Sequence, residues 1–204
     1  MDFFSERTTY LYKSLDAAED GRPETPYQIR EMNVGREDDL RLWCEVVNQS
    51  YTDASYTADT ARELLTNHPL MKNNRTFFVA DGDTVLATIS VGVYRANEAV
   101  GGFFRIAVVP EGRKKGLGTL LLTIGEKELI GRQILSVQEA VKLKRAASLR
   151  MHFSHGYLPE KSIKDRAEQI TPKRKIMRLT GVDALVNART RKIYRQYLEN
   201  KKNN

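Results

Sequence analysis

Residues 108–122 read V-V-P-E-G-R-K-K-G-L-G-T-L-L-L and restrict the possible folds of this chain more than any other stretch. An apolar run with the length of a buried strand leads into them from Phe103. Pro110 has no N–H to give to a strand ladder, so it ends that strand. Leucine and isoleucine then recur at helical spacing between residues 117 and 124. The pattern predicts a strand, a tight basic turn and a helix in direct succession.

The turn has the chemistry of an anion site. Gly116 and Gly118 leave no side chain over the start of the helix, where unpaired backbone N–H groups point outward. The helix dipole places roughly half a positive elementary charge at this end. Arg113, Lys114 and Lys115 add formal charge around the same N–H groups. We therefore expect a phosphate ligand here, and a pyrophosphate in particular.

Two common nucleotide loops do not match this turn. A Walker A loop needs Lys followed by Ser or Thr after its glycines, and no such pair is present. The dinucleotide pattern G-x-G-x-x-G is also absent, because Gly116-Leu117-Gly118 is followed by Thr119, Leu120 and Leu121. An ordinary solvated basic turn remains as an alternative. It does not explain two glycines where alanine would start a helix better.

The segment resembles the pyrophosphate loop of the GNAT acyltransferase superfamily, whose pattern is [QR]-x-x-G-x-[GA] preceded by V-x-P. Here Arg113-x-x-Gly116-x-Gly118 follows Val108-Val109-Pro110 in register. The resemblance implies that acetyl-CoA is the cofactor. It also implies that the pantetheine arm bonds to the strand before the loop, as a ligand added to a strand edge. The implied cofactor-binding residues are Ile106, Ala107, Val108, Arg113, Lys114, Lys115, Gly116, Leu117, Gly118 and Thr119.

Sequence patterns outside the loop fit the order of elements in that superfamily. The implied fold class is α/β (α+β), a GNAT-like mixed, mainly antiparallel sheet flanked by helices, with helical extensions at both ends. The expected domains are an N-terminal extension over 1–25, a GNAT domain over 26–180 and a basic C-terminal helix over 181–204. The expected elements are a helix at 4–19, a strand at 27–32, helices at 37–47 and after Thr57, a hairpin turning at 81–83, an antiparallel strand reaching Val109, a helix at 117–130, a strand at 134–137, a helix at 139–154, a strand at 175–179 and a helix at 182–200.

The second motif of the superfamily, N-x-x-A-x-x-[LI]-Y-x-x-x-G-[FY], is less well matched. Anchoring it on Gly156-Tyr157 places His152 where the family has the Tyr that protonates the leaving thiolate. His152 is therefore a candidate general acid, and a residue on the surface of a basic helix is the alternative. Glu139 lies near the position where some relatives carry a carboxylate and is the candidate general base. The alternative is that Glu139 has only a structural role, in the first turn of a helix, where its negative charge interacts favourably with the helix dipole.

Composition excludes several classes of protein. The first residues lack a basic region followed by an apolar stretch, and about 20 consecutive apolar residues occur nowhere. We therefore expect a cytoplasmic protein that neither is secreted nor spans a membrane. The single cysteine, Cys44, has no partner for an internal disulfide and is interpreted as a buried thiol. With 1 Cys and 3 His, no metal site is predicted.

The net charge of +7 is concentrated near the C-terminus. Residues 161–204 hold 13 Lys and Arg and 4 Asp and Glu, a balance of +9. Two functions stay open. The first is an N-acetyltransferase that moves acetyl from acetyl-CoA to an amine of unknown type by direct attack. The second is a GNAT-fold binding or structural module with weakened catalysis, which contacts nucleic acid, through non-specific charge interactions, or a larger assembly through this basic segment.

Overall fold

A computed structural model describes residues 8–16, 23–142 and 145–159. Its contacts divide the chain into two compact units, a larger unit of residues 14–137 and a terminal unit of residues 1–13 and 138–204. The strands are β1 Thr8–Ser14, β2 Gln28–Glu31, β3 Met71–Asp81, β4 Thr84–Tyr94, β5 Asn97–Val108, β6 Ser136–Lys142 and β7 Leu158–Pro159. The helices are α1 Glu37–Ser50, α2 Ala58–Thr66, α3 Leu117–Gly131 and α4 Ala146–Ser154, and a 3₁₀ turn covers Pro110–Gly112.

The larger unit is built on four antiparallel strands in the order β2-β3-β4-β5. The hairpin between β3 and β4 turns at Gly82, which has φ +55°, so the predicted Asp81-Gly82-Asp83 turn is confirmed. β6 starts beside β5 as a parallel strand, paired at Gly101 and Val137. Among the described residues the pairing is therefore mixed and mainly antiparallel, and the predicted fold class, a GNAT-like mixed sheet flanked by helices, is confirmed.

Both predicted helices after β2 are present. Thr57 caps α2 through a capping box with Thr60, in which each side chain bonds the backbone N–H of the other residue. In α1 one face is buried, with Leu40, Trp43 and Val47 fully enclosed. This apolar face, at helical spacing, holds α1 in the core of the larger unit.

α3 packs against β5 at two glycines. A Cβ added to Gly125 would lie 2.6 Å from the Phe103 ring, and one added to Gly101 would lie 2.5 Å from Leu129. Such contacts are too close for any side chain, so glycine allows the helix and strand to approach. Gly101 and Phe103, two residues apart, therefore both face α3.

β5 carries a bulge next to the strand end. Ala107 pairs with Thr88 and Phe104 pairs with Ser90, so Arg105 and Ile106 together oppose the single residue Ile89. Arg105 adopts φ +55°, in the left-handed region. The bulge interrupts the alternation of side chains established by Gly101 and Phe103.

The predicted N-terminal helix over residues 4–19 is wrong for the described residues 8–16. Thr8–Ser14 is strand β1, which pairs antiparallel with β7 through Leu11 and Pro159. Thr9 and Leu11 are buried and their neighbours Thr8 and Tyr10 are exposed, which is the period of a strand. β-branched and aromatic residues favour this conformation once a partner strand is available.

The helix predicted over residues 139–154 begins later than expected. Residues 136–142 form β6, with Val137, Glu139 and Val141 buried in alternation. α4 begins at Ala146, and Gly156 at φ +89° follows its end as predicted. Glu139 is consequently a buried strand residue and not a first-turn helix residue.

Other predictions fall outside the described part of the chain. They are the strand at 175–179, the helix at 182–200 and the ends of the N-terminal helix. Within the described ranges, no helix is long and apolar enough to cross a membrane.

Candidate active site

The predicted phosphate loop forms a turn with two left-handed residues. Lys114 has φ +62° and Gly116 has φ +77°, and Gly116 is the N-cap of α3. A Cβ at Gly116 would meet nothing within 4 Å, so space does not require a glycine here. The left-handed backbone angle does, because glycine adopts it without steric cost. The 3₁₀ turn after Val109 carries the chain from β5 into this loop. Strand, turn and helix therefore follow one another as the sequence predicted.

The N-terminus of α3 is available to an anion. The N-cap makes no side-chain hydrogen bond, and the first turn of α3 contains no acidic residue. Arg113, Lys114 and Lys115 are exposed beside it, and Arg113 Nη2 lies 3.4 Å from the Ser50 carbonyl oxygen. N–H groups without a side-chain cap, a helix dipole and three cations together fit the two phosphates of a pyrophosphate.

The end of β5 has backbone groups pointing away from β4. Val109 N–H donates to the Leu86 carbonyl at 3.0 Å, so the ladder pairs residue 109 with β4. Because antiparallel ladders alternate, the backbone groups of Ala107 also face β4 and those of Val108 face the other edge. The Ile106 carbonyl accepts a hydrogen bond from the Tyr51 hydroxyl. Of the three predicted pantetheine contacts, Val108 thus presents its N–H and C=O most directly.

The segment between α1 and α2 lies against the β5 bulge, and sequence reasoning missed it. Tyr51 reaches the Ile106 carbonyl, and Tyr56 accepts a hydrogen bond from Arg105. Asn48 holds Tyr56 in place through two bonds to its backbone, of 2.8 and 3.0 Å. The available indications were the two tyrosines in Y-T-D-A-S-Y and one arginine inside the apolar run F-F-R-I-A-V-V.

In the terminal unit the structure brings His152 and Glu139 together. His152 Nε2 lies 3.9 Å from Glu139 Oε2, with His152 1% and Glu139 3% exposed. The Ser148 carbonyl, 2.8 Å from His152 Nδ1, can only accept, so Nδ1 carries a hydrogen. Nε2 is then the ring nitrogen that faces Glu139. The alternative of His152 as a surface residue is wrong.

Tyr157 completes this cluster of buried polar residues. Its ring meets that of His152 edge to face, with centroids 5.1 Å apart and planes at 82°. Tyr157 is 0% exposed. The two predicted catalytic residues and Tyr157 belong to the terminal unit, and the predicted cofactor residues 106–119 belong to the larger unit.

The environment of Cys44 does not favour a nucleophilic thiol. It is buried, and burial first, then the negative charges of Glu37 and Glu45, raise the pKa of its thiol. A raised pKa keeps the thiol protonated and unreactive. In the residues that the structure describes, no group of three or more His, Cys, Asp or Glu is placed to hold a metal ion.

Comparison with known proteins identifies the family. Residues 39–157 match the model of the acetyltransferase (GNAT) family, which is more than half of the chain. The chain belongs to this family. The match includes α1 from Asp39 onward, the β5 bulge, the phosphate loop, Glu139 and His152. The GNAT resemblance predicted from the loop is therefore confirmed. No curated protein sequence matches the chain.

Solved GNAT structures share the fold at low sequence identity. A GCN5-related N-acetyltransferase from Sphaerobacter thermophilus superposes with TM-score 0.57 and 16% identity, over 75% of this chain and 48% of that one. One from Kribbella flavida gives TM-score 0.51 and 13% identity, over 76% and 55%. The diaminobutyrate acetyltransferase of Paenibacillus lautus, solved with L-2,4-diaminobutyric acid and coenzyme A, gives TM-score 0.52 and 14% identity, over 65% and 75%. This GNAT chain spans about half the length of the first two structures.

Proposed function

We propose that this GNAT protein transfers an acetyl group from acetyl-CoA to an amine by direct attack. The observation that carries the proposal is the N-terminus of α3, with no side-chain cap, beside three cations. Acetyl-CoA supplies the activated acetyl thioester. Arg113, Lys114 and Lys115, with the N–H groups of residues 116–119, would hold its pyrophosphate, and the edge of β5 at Val108 would hold its pantetheine arm.

His152 and Glu139 are the proposed proton carriers. Because Nδ1 donates to the Ser148 carbonyl, the proton that His152 would give up is the one Nε2 carries in the imidazolium form, next to the Glu139 carboxylate. We propose that His152 protonates the departing thiolate and that Glu139 accepts the proton of the amine. The diaminobutyrate enzyme of Paenibacillus lautus supports an amine as the acceptor class. A cytoplasmic location remains a prediction from the sequence.

The alternative of a non-catalytic module has no support among the described residues. Its basic segment, residues 161–204, lies outside them. An intact phosphate loop within a matched GNAT domain favours the enzyme.

Acetyl-CoA binding and turnover test the proposal. Calorimetry should show saturable binding, and a ligand at about 100 times its Kd should stabilise the fold by about 2.7 kcal/mol. Incubation with a panel of amines should then release free coenzyme A. A protein that shows neither heat of binding nor thermal stabilisation with acetyl-CoA would contradict the proposal.

A further inference from the structure

The β5 bulge redirects one side chain. Gly101 and Phe103 face α3, so regular alternation would direct Arg105 to α3 as well. The guanidinium of Arg105 instead lies over the Tyr56 ring, 5.1 Å from its centroid, and donates to the Tyr56 hydroxyl. An extra residue in β5 and a left-handed backbone at Arg105 make this possible. Non-glycine residues in this conformation concentrate where a site requires them.

The surroundings of Arg105 are rigid. Tyr56 is fixed by Asn48 through its backbone and meets Trp43 edge to face, with ring centroids 5.2 Å apart. Next to Arg105 in sequence, the ring of Phe104 lies 4.4 Å from the ring of His68. A cation held over a fixed aromatic ring is restricted in orientation, which is what selective binding of a small group requires.

Arg105 has no negative partner. In the described ranges no carboxylate lies within 4 Å of its guanidinium, and its buried Nε makes no hydrogen bond. Arg132, the other half-buried arginine in the described part of the larger unit, pairs with Glu128, whereas the arginines there that also lack an ion pair, Arg36, Arg41, Arg95 and Arg113, are exposed. Pairing is the usual arrangement of a structural arginine, and Arg105 departs from it.

The imidazole of His68 lies near Arg105, against the ring of Phe104. Burial first, then the charges of Arg105 and Arg95, lower the pKa of His68 below its usual value. His68 Nδ1 accepts the N–H of Leu70 at 3.2 Å, so neutral His68 carries its hydrogen on Nε2. The Arg105 guanidinium and an imidazole N–H donor therefore lie near the bulge, and each can donate to an anion.

We propose that Arg105 binds a carboxylate of the acceptor, so that the acceptor is an amine carrying a carboxylate. Arginine presents parallel N–H donors whose spacing matches the two oxygens of a carboxylate. Arg105 also lies three residues before Val108, the part of the strand edge assigned to the pantetheine arm. This inference rests on the proposed acetyl transfer and names its acceptor class.

Matched amines test the inference. Acetyl-CoA binding is measured first. Coenzyme A release is then measured with α- and ω-amino acids, each beside the alkylamine that lacks only the carboxylate, such as β-alanine beside ethylamine. The unmodified protein should prefer the carboxylated amine. In Arg105→Asn, kcat/KM for that amine should fall by roughly 10- to 100-fold, with the alkylamine unchanged. Asn tolerates the left-handed backbone, so the substitution removes the charge with little strain.

Two further variants separate charge from folding. Arg105→Lys keeps the charge without the paired donors and should retain part of the preference. Arg41→Asn removes an exposed charge from α1 and should leave the preference intact. Equal rates for both members of every pair in the unmodified protein would overturn the inference, as would an equal loss for both members in Arg105→Asn. Absence of acetyl-CoA binding would instead overturn the proposed function, and this inference with it.

Discussion

Asp39 is a carboxylate in the core of the larger unit. Arg30 donates to both of its oxygens at 2.9 and 3.0 Å, and the Asn33 N–H donates at 2.8 Å. Burial alone would raise the pKa of Asp39, but these hydrogen bonds and the charges of Arg30 and Arg36 lower it below its usual value. The charged carboxylate therefore connects the start of α1 to β2.

Replacing Asp39 should weaken the fold in a pH-dependent way. Asp39→Asn should cost about 2 kcal/mol of unfolding free energy at pH 7, because charged hydrogen bonds are lost. A lowered folded pKa gives stability that is complete above the unfolded pKa and disappears as pH falls through the folded one. Urea unfolding at neutral and acid pH should show the difference from the unmodified protein shrinking with acid. Asp38→Asn, exposed on the same turn, should cost less than about 0.5 kcal/mol, and an equal cost would contradict the assignment.

His152 has a separate test. If it protonates the thiolate, His152→Phe should lower turnover by roughly 10²–10⁴-fold with little change in acetyl-CoA binding, and the unmodified rate should decline as pH rises through the pKa of His152. His155→Phe, three residues later, is the matched control. Because His152 is buried, circular dichroism must show that the variant folds. Full activity in a folded His152→Phe would transfer the role to Tyr157 or to water.

At the scale of elements, the N-terminus of α3 is the proposed cofactor site. Gly118→Asp should reduce acetyl-CoA affinity at least about tenfold, because a carboxylate would repel the phosphates there. Gly131→Asp introduces the same side chain at the other end of the same helix, where an added Cβ meets nothing within 4 Å. Its affinity, measured by the same calorimetry, should be unchanged. Equal affinities for both variants would remove the loop from the cofactor site.

Elements defined by local chemistry were predictable from sequence. The capping box at Thr57, the turn at Gly82 and the glycines before α3 each specify a backbone conformation within a few residues. β1 was not predictable in the same way. Its residues Thr8–Ser14 also allow a helical reading, and pairing with β7, about 150 residues away in sequence, decides the conformation.

Across the whole molecule, the sequence predicted the family and the strand-turn-helix conformation of residues 108–122, but not the burial of the candidate catalytic residues. The domain limits at residues 25 and 180 remain predictions, and the compact units divide after Lys13 and Val137. Burial of Glu139 and His152 could not be read from the sequence, because both residues are polar and strand β6 was assigned partly to a helix. Long-range packing, and not local propensity, brings these two side chains together.

The bulge at Arg105 arises because β5 contains one more residue than the segment of β4 opposite it. β5 uses two residues where β4 uses one, so the orientation of Arg105 depends on one extra amino acid. In genetic terms, an in-frame insertion or deletion of a single codon creates or removes this arrangement, and a point mutation at codon 105 changes only the side chain. Among related genes, acceptor preference would then follow a one-residue gap inside a strand, at a place where gaps are usually penalised.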